Sequence, residues 1–138
     1  MNRFSAAGRT LDHVAVAVHS IEESRAVFEL VSVGSCTPPE TLEAQGVRVA
    51  FVGALELIEP LRPDTTVGRF LERHGQGLHH IAYRTVDLES ELARLESAGV
   101  PLIDRAPRVG AGGHRVAFLH PSGTGGILVE LVERAPGA

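Results

Sequence analysis

The sequence lacks the features that would place it outside ordinary soluble proteins. Cys36 is its one cysteine, so no disulfide can form within the chain and nothing points to an oxidising compartment. No uninterrupted apolar run approaches the roughly 18 residues that a membrane-spanning helix needs. The first residues, 1–5, also lack the apolar core of a signal peptide. These absences predict a cytoplasmic protein with no membrane partner.

An excess of basic residues is also missing. The formal net charge is −4, whereas binding to nucleic acid needs a basic face. We therefore predict that nucleic acid is not a partner. The length of 138 residues fits one domain with a substantial core.

What the sequence does contain is a repeat. Residues 11–18, beginning Leu-Asp-His-Val-Ala, correspond to residues 78–85, beginning Leu-His-His-Ile-Ala. Each segment is followed by a helix-like stretch and later by the pattern Glu-Leu-aliphatic-Glu, at residues 56–59 and 130–133. Each half therefore has one histidine and one glutamate at matching points. If the halves pack around a pseudo-two-fold axis, these four side chains meet and form a divalent metal site.

Periodicity predicts the same order of elements twice, β-α-β-β with a further short strand. It is not a Rossmann unit, because no Gly-x-Gly-x-x-Gly follows the first strand. The predicted domain is 1–138, with repeats 9–62 and 76–135 and linker 63–75. The predicted strands are 11–18, 46–53, 55–58, 78–85, 115–119 and 127–133, and the predicted helices are 20–30, 64–71 and 87–99.

The residues around each histidine agree with a ligand site. Small residues share its strand face, Ala15 and Ala17 in the first half and Ala82 in the second. A glutamate in the middle of an apolar strand is costly to bury without a cation or several hydrogen bonds. An outward-facing edge strand explains one such glutamate, but two at duplicated positions favour a metal.

The ligand types restrict the metal. Imidazole and carboxylate suit Co, Mn, Ni, Zn or Fe(II) better than Ca or Mg, and the absence of thiolates argues against a structural zinc site. Four protein ligands leave two adjacent positions of an octahedral ion open. Those positions suit a substrate that chelates through two oxygens.

The chain resembles the vicinal oxygen chelate superfamily, and within it the methylmalonyl-CoA epimerase family. The most specific likeness lies in residues 70–83 (Phe-Leu-Glu-Arg-His-Gly-Gln-Gly-Leu-His-His-Ile-Ala-Tyr) and in the ending 118–131, with His-Pro followed by Gly-Ile-Leu-Val-Glu-Leu. The resemblance implies an α+β fold in which two paired βαβββ modules form a cupped mixed sheet around a metal site. It implies four metal ligands: His13, Glu56, His80 and Glu130.

The resemblance also implies an activity: an isomerase that epimerises the α-carbon of methylmalonyl-CoA through an enolate. It implies an acyl-CoA substrate, a homodimer, and a divalent metal, with Co²⁺ first and Mn²⁺, Ni²⁺ or Zn²⁺ as alternatives. Glu130 is the candidate base, and Glu56 is its candidate partner on the other face. Two positions depart from the family: Val49 replaces a proposed catalytic glutamate, and Ser122 replaces the usual lysine after His-Pro.

Other functions remain open at this point. They are a glyoxalase I-type lactoylglutathione lyase, a non-catalytic binding member and an extradiol dioxygenase, in which Glu56 would be superfluous.

The other polar residues near the predicted ligands are expected to have structural roles only. We expect His79 to pack on the strand face opposite His80, His114 to be solvated, and Glu59 and Glu133 to be solvated strand ends.

Overall fold

The computed structural model describes residues 8–136, in which one mixed sheet carries three helices. The sheet has eight strands in the order β2-β3-β4-β1-β5-β8-β7-β6. The strands are β1 Leu11–Ala17, β2 Glu40–Leu42, β3 Val47–Val52, β4 Leu55–Pro60, β5 Gly77–Thr85, β6 Arg108–Val109, β7 Arg115–Leu119 and β8 Val129–Glu133. The helices are α1 Ile21–Ser32, α2 Thr66–His74 and α3 Leu88–Ser97.

The halves of the chain have matching topology. β1 pairs in parallel with β4, and β5 pairs in parallel with β8. The antiparallel pairing of β1 with β5 joins the halves at the centre of the sheet. The predicted α+β cupped mixed sheet is therefore confirmed, while the repeat boundaries 9–62 and 76–135 stay a prediction.

Each helix begins at a polar side chain that caps its free N–H groups. The side chain of Ser20 accepts a hydrogen bond from the amide of Glu23 before α1, and that of Asp87 does so from Ser90 before α3. Thr65 caps α2, which starts two residues later than predicted and continues to His74.

The helices lie on different faces of the sheet. Ile21 and Phe28 of α1 pack against Leu57, and Leu88 and Leu92 of α3 pack against β7 and β8. Helix α2 instead packs against residues on the same face as His13, because Val67 and Leu71 cluster with Ala15 and Ala17. α2 therefore lies on the cupped face, beside the predicted site. Within residues 8–136, no helix is long and apolar enough to cross a membrane.

The sequence predicts a further short strand in each half, but not which residues form these two edge strands. β2 and β6 are two or three residues long and mostly exposed, so they lack the apolar alternation that reveals a strand. They bring the two ends of the curled sheet together. The side-chain amide of Gln45 donates a hydrogen bond to the carbonyl of Val109 (2.7 Å), and the amide of Gly112 donates one to Glu40 Oε1 (2.9 Å). These bonds connect the first half of the chain to the second across the mouth of the cup.

Candidate metal centre

The four predicted ligands lie on four adjacent strands at the middle of the sheet. The strands occur in the order β4, β1, β5, β8, and they carry Glu56, His13, His80 and Glu130 in turn. All four side chains are buried.

Strand register explains how four ligands fit in one place. Ala15 is the cross-strand neighbour of both Glu56 and His80. Ala82 is the neighbour of both His13 and Glu130. A larger side chain at either alanine would occupy the space between the ligands, so these two alanines keep the site open as predicted.

Each of the two glutamates approaches both histidines, although Glu56 lies outside the tight group formed by the other three residues. His13 Nε2 lies 3.1 Å from Glu130 Oε1 and 3.4 Å from Glu56 Oε1. His80 Nε2 lies 3.5 Å from Glu56 Oε1 and 3.6 Å from Glu130 Oε1. Ligand atoms of His13, His80 and Glu130 all lie within 4.8 Å of one another. The structure therefore brings together every residue predicted for the site.

A cation fits this cluster for a specific reason. Among the described residues, His13 Nε2 and His80 Nε2 are the buried side-chain polar atoms without a hydrogen-bond partner. Carboxylate oxygens lie 3.1 to 3.6 Å from these atoms without forming a hydrogen bond to either one. Buried polar atoms of this kind are rare unless something else satisfies them. One divalent ion accepting both imidazole lone pairs and facing both carboxylates would do so.

The electrostatics of the cluster lead to the same conclusion. Burial lowers the pKa of His13, but the carboxylates of Glu130 and Glu56, and then Asp12, outweigh it and raise that pKa to about 10. Burial raises the pKa of Glu130, but His13 and His80 outweigh it and lower that pKa to about 2. The site thus attracts positive charge, which a proton supplies on His13 when no other cation is bound.

The residue before each histidine supports that histidine's ring. The pairing of β1 with β5 shifts register twice, and the extra residues at the two bulges are Asp12 and His79. Asp12 Oδ2 lies 2.6 Å from His13 Nδ1, and His79 Nδ1 lies 2.9 Å from His80 Nδ1. Because Nδ1 of each ligand ring is engaged in this way, Nε2 is directed at the centre.

The bulge changes the expected position of His79. Regular alternation would place it on the face opposite His80, but as the bulged residue it borders the same cavity. Its ring packs on Phe70, with centroids 4.9 Å apart. Burial and the neighbouring His80 lower the pKa of His79 to about 4, so it supports His80 as a neutral ring. The expectation that it packs is confirmed by this ring contact, but the predicted face was wrong.

Asp12 was not recognised as a site residue from the sequence. It is buried, and besides His13 it accepts hydrogen bonds from Arg84 Nε (2.9 Å) and Arg134 Nε (2.6 Å). Burial raises its pKa, but Arg134 and His13 outweigh this and lower the pKa to about 2. Arg134 also lies 3.0 Å from His114 Nε2, so His114 joins the network instead of being simply solvated. A conspicuous acid directly before a ligand histidine was the available signal.

A cavity of about 520 Å³ surrounds the cluster. Val49 lies on its wall, 3% exposed, and packs with Val47 and Ile58. Besides the two site glutamates, Asp104 is the carboxylate that lines the cavity in the described chain, and it is paired with Arg108 and with the amide of Phe118. The first-half wall around Val49 is therefore apolar.

Glu59 and Glu133 are not solvated strand ends, and that expectation was wrong. Glu59 Oε1 accepts the amide of Ile21 (2.9 Å), and Glu133 Oε2 accepts the amide of Leu88 (2.9 Å). Each glutamate therefore satisfies the first N–H of a helix, and each also pairs with an arginine. In the repeated Glu-Leu-aliphatic-Glu pattern, the first glutamate therefore lies in the candidate metal centre. The second accepts a hydrogen bond from the first amide of the helix in its own half.

Comparison with known proteins identifies the family. Residues 12–118 match the model of the Glyoxalase/Bleomycin resistance protein/Dioxygenase superfamily. The chain belongs to this superfamily. Two relatives extend the likeness: the uncharacterized protein YqjC of Bacillus subtilis is 49% identical, over 89% of this chain and 91% of its own. An ethylmalonyl-CoA/methylmalonyl-CoA epimerase of Cereibacter sphaeroides is 35% identical, over 88% of this chain and 95% of its own.

Within the superfamily, solved epimerase structures share the whole fold. A variant of Streptomyces coelicolor methylmalonyl-CoA epimerase, in complex with 2-nitronate-propionyl-CoA, superposes with a TM-score of 0.86 at 33% identity. The match covers 93% of this chain and 96% of that one. The resemblance inferred from residues 70–83 and 118–131 is thereby confirmed, and the relatives named for an activity are isomerases.

Proposed function

We propose that the protein is a metal-dependent epimerase that interconverts the (2R) and (2S) forms of methylmalonyl-CoA. The observation that carries the proposal is the pair of buried, unpartnered Nε2 atoms facing two carboxylates inside a cavity of about 520 Å³. The epimerases among its relatives support the choice of reaction and substrate. We assign His13, Glu56, His80 and Glu130 as the residues that hold the ion.

The choice of ion follows from the ligands. Two imidazoles and two carboxylates suit Co²⁺, with Mn²⁺, Ni²⁺ and Zn²⁺ as alternatives. When bound, a divalent cation supplies Lewis-acid stabilisation for negative charge that develops on the substrate oxygens. The apolar wall around Val49 lowers the local dielectric and strengthens every charge interaction in the cavity.

The proton transfers are assigned to the two glutamates. Glu130 lies on β8 of the second half and takes the α-proton, and Glu56, on β4 of the first half, serves the other face of the carbon. The pKa of Glu130, lowered to about 2, keeps it ionised at neutral pH but makes it a weak base. Removal of the proton therefore depends on stabilisation of the negative charge that remains on the substrate.

Two further assignments belong to this proposal. We assign the protein to the cytoplasm and propose that it works as a homodimer. Helix α1 exposes Val27, Leu30 and Val31, an apolar face that a second copy would cover. Sedimentation of Leu30→Glu beside the unaltered protein tests this, because a lighter species is expected only if α1 is the contact.

The deciding experiment is exchange of the α-proton of methylmalonyl-CoA in heavy water. Exchange is expected with the metal-loaded protein and should be lost on chelation. Glu130→Gln should slow it by a factor of at least about 10² because it removes a base and a ligand. Turnover of the hemithioacetal of glutathione and methylglyoxal, without exchange of methylmalonyl-CoA, would assign the protein to the glyoxalase I reaction. Metal-free protein that binds a ligand without exchange would make it a non-catalytic member.

A further inference from the structure

A four-residue sequence, Arg-Val-Ala-Phe, occurs twice in the chain, at residues 48–51 and 115–118. The two copies are separated by the same number of residues as His13 and His80, so they belong to the same duplication. The first copy lies in β3, and the second forms the first four residues of β7. Equivalent residues of the two copies therefore occupy equivalent places in the two halves of the sheet.

The first three residues of each copy make matching contacts in the two halves. Each arginine pairs with the glutamate that accepts the first amide of a helix, Glu59 or Glu133. Each valine lines the cavity around the metal centre, and each alanine packs in the core beside the helix of its own half. The phenylalanines, Phe51 and Phe118, line the cavity as the valines do. The repeat thus places an aromatic ring at matching points of the two cavity walls.

Each of these phenylalanines contacts one of the two histidines of the metal centre. The rings of Phe51 and His13 have centroids 5.6 Å apart and planes at 88° to each other. The rings of Phe118 and His80 have centroids 5.2 Å apart and planes at 90°. Each phenylalanine is also the cross-strand neighbour of the site glutamate of its own half. Perpendicular rings at these distances have a favourable geometry for an aromatic pair.

The contact at Nδ1 does not by itself fix the orientation of an imidazole. The last side-chain torsion of histidine has a broad preference, so the rotamer leaves the ring free to tilt. The partner at Nδ1, Asp12 or His79, holds one atom of the ring. A phenyl ring set perpendicular to the imidazole restricts the remaining tilt, and it thereby restricts the direction in which the Nε2 lone pair points.

We propose that Phe51 and Phe118 are positioning residues that hold the rings of His13 and His80 so that both Nε2 atoms point at one divalent ion. The inference rests on the metal centre of the proposed function. The phenylalanines themselves do not bind the ion, and their effect on metal affinity passes through the histidines.

The test measures Co²⁺ affinity by competition with a chelating indicator. Phe51→Leu and Phe118→Leu should each weaken binding by about three- to tenfold, because one perpendicular ring contact is lost. The visible absorption spectrum of bound Co²⁺ should change as well, since it depends on the arrangement of the ligands. Phe51→Tyr and Phe118→Tyr keep the ring and should bind Co²⁺ within about twofold of the unaltered protein. Methionine, which also removes the ring, replaces leucine in any variant that does not fold.

Phe28→Leu is the matched control, because Phe28 is also half-buried but packs in the core beside α1 and lies outside the cavity. It should lower Tm and leave Co²⁺ affinity unchanged. If Phe51→Leu and Phe118→Leu bind Co²⁺ within about twofold of the unaltered protein, or if Phe28→Leu loses as much affinity as they do, the positioning role is overturned and the metal centre stands. An unaltered protein that binds no Co²⁺ would overturn the metal centre and, with it, this inference. Co²⁺ binding without exchange of the α-proton would overturn the epimerase proposal alone.

Discussion

The role of Asp12 can be tested by one conservative substitution. Asp12→Asn keeps the shape of the side chain but removes the charge that His13 Nδ1, Arg84 and Arg134 all contact. The asparagine amide can also point its N–H group at Nδ1. That orientation would favour the tautomer with a proton on Nε2, the atom that faces the metal centre.

The expected size of the effect follows from the geometry. Partners that orient metal-binding histidines contribute about 10- to 100-fold in metal affinity, and each tenfold change is about 1.4 kcal/mol. Asp12 is the buried and ionised partner of His13, with a pKa lowered to about 2 by Arg134 and His13 against the effect of burial. We therefore expect Asp12→Asn to weaken Co²⁺ or Zn²⁺ binding within that range, as measured by competition with a chelating indicator.

Glu91 provides a matched control. It is a buried carboxylate on α3 held by Arg9 and Arg94, much as Asp12 is held by two arginines, but it lies outside the cavity around the metal centre. Glu91→Gln should therefore lower thermal stability without changing metal affinity. Metal affinity within about threefold of the unaltered protein in folded Asp12→Asn would refute the orienting role, as would an equal loss in Glu91→Gln.

Three further changes have defined outcomes. Metal binding must displace a proton from His13, whose pKa is raised to about 10, so metal affinity should rise from pH 6 to pH 8 with proton release measurable in weak buffer. Glu133→Gln should lower the free energy of unfolding by about 1–2 kcal/mol at pH 7. The pKa of Glu133 is lowered to about 2, chiefly by Arg115, so its stabilising effect is complete above about pH 4.5. The difference in Tm from the unaltered protein should therefore shrink as pH falls towards 2. Val49→Glu should lower Tm, because it buries a carboxylate in the apolar wall. It should change the rate of α-proton exchange by less than about tenfold if Glu56 already serves the first-half face of the substrate carbon. A large gain with one enantiomer alone would show that a second base was missing.

Much of the fold and site could be predicted because duplication repeats its signals. A single mid-strand glutamate is ambiguous, but Glu56 and Glu130 at matching points, each with a histidine, were enough to predict the cluster that the structure contains. The alternating strands and capped helices were equally visible, since apolar periodicity is a local property of the sequence.

The features that were missed depend on long-range geometry. The faces of Asp12 and His79 could not be predicted by counting residues, because each lies at a bulge that interrupts alternation. Glu59 and Glu133 reach helix amide groups far away in the chain, which no local pattern reveals. The edge strands β2 and β6 are too short for periodicity, and they are recognisable only from their partners in the sheet.

The two bulges give a symmetric scaffold an asymmetric centre. Asp12 supports His13 with a full negative charge, whereas His79 supports His80 with a neutral ring. The imidazole of the first half is therefore the stronger electron donor to any shared cation, and charge in the centre is polarised along the line between the two halves. The matching halves place the two histidines alike, and the residues directly before them, Asp12 and His79, make them unequal donors. A carbon bound here would present its two faces to surroundings that are alike in shape but unequal in chemistry.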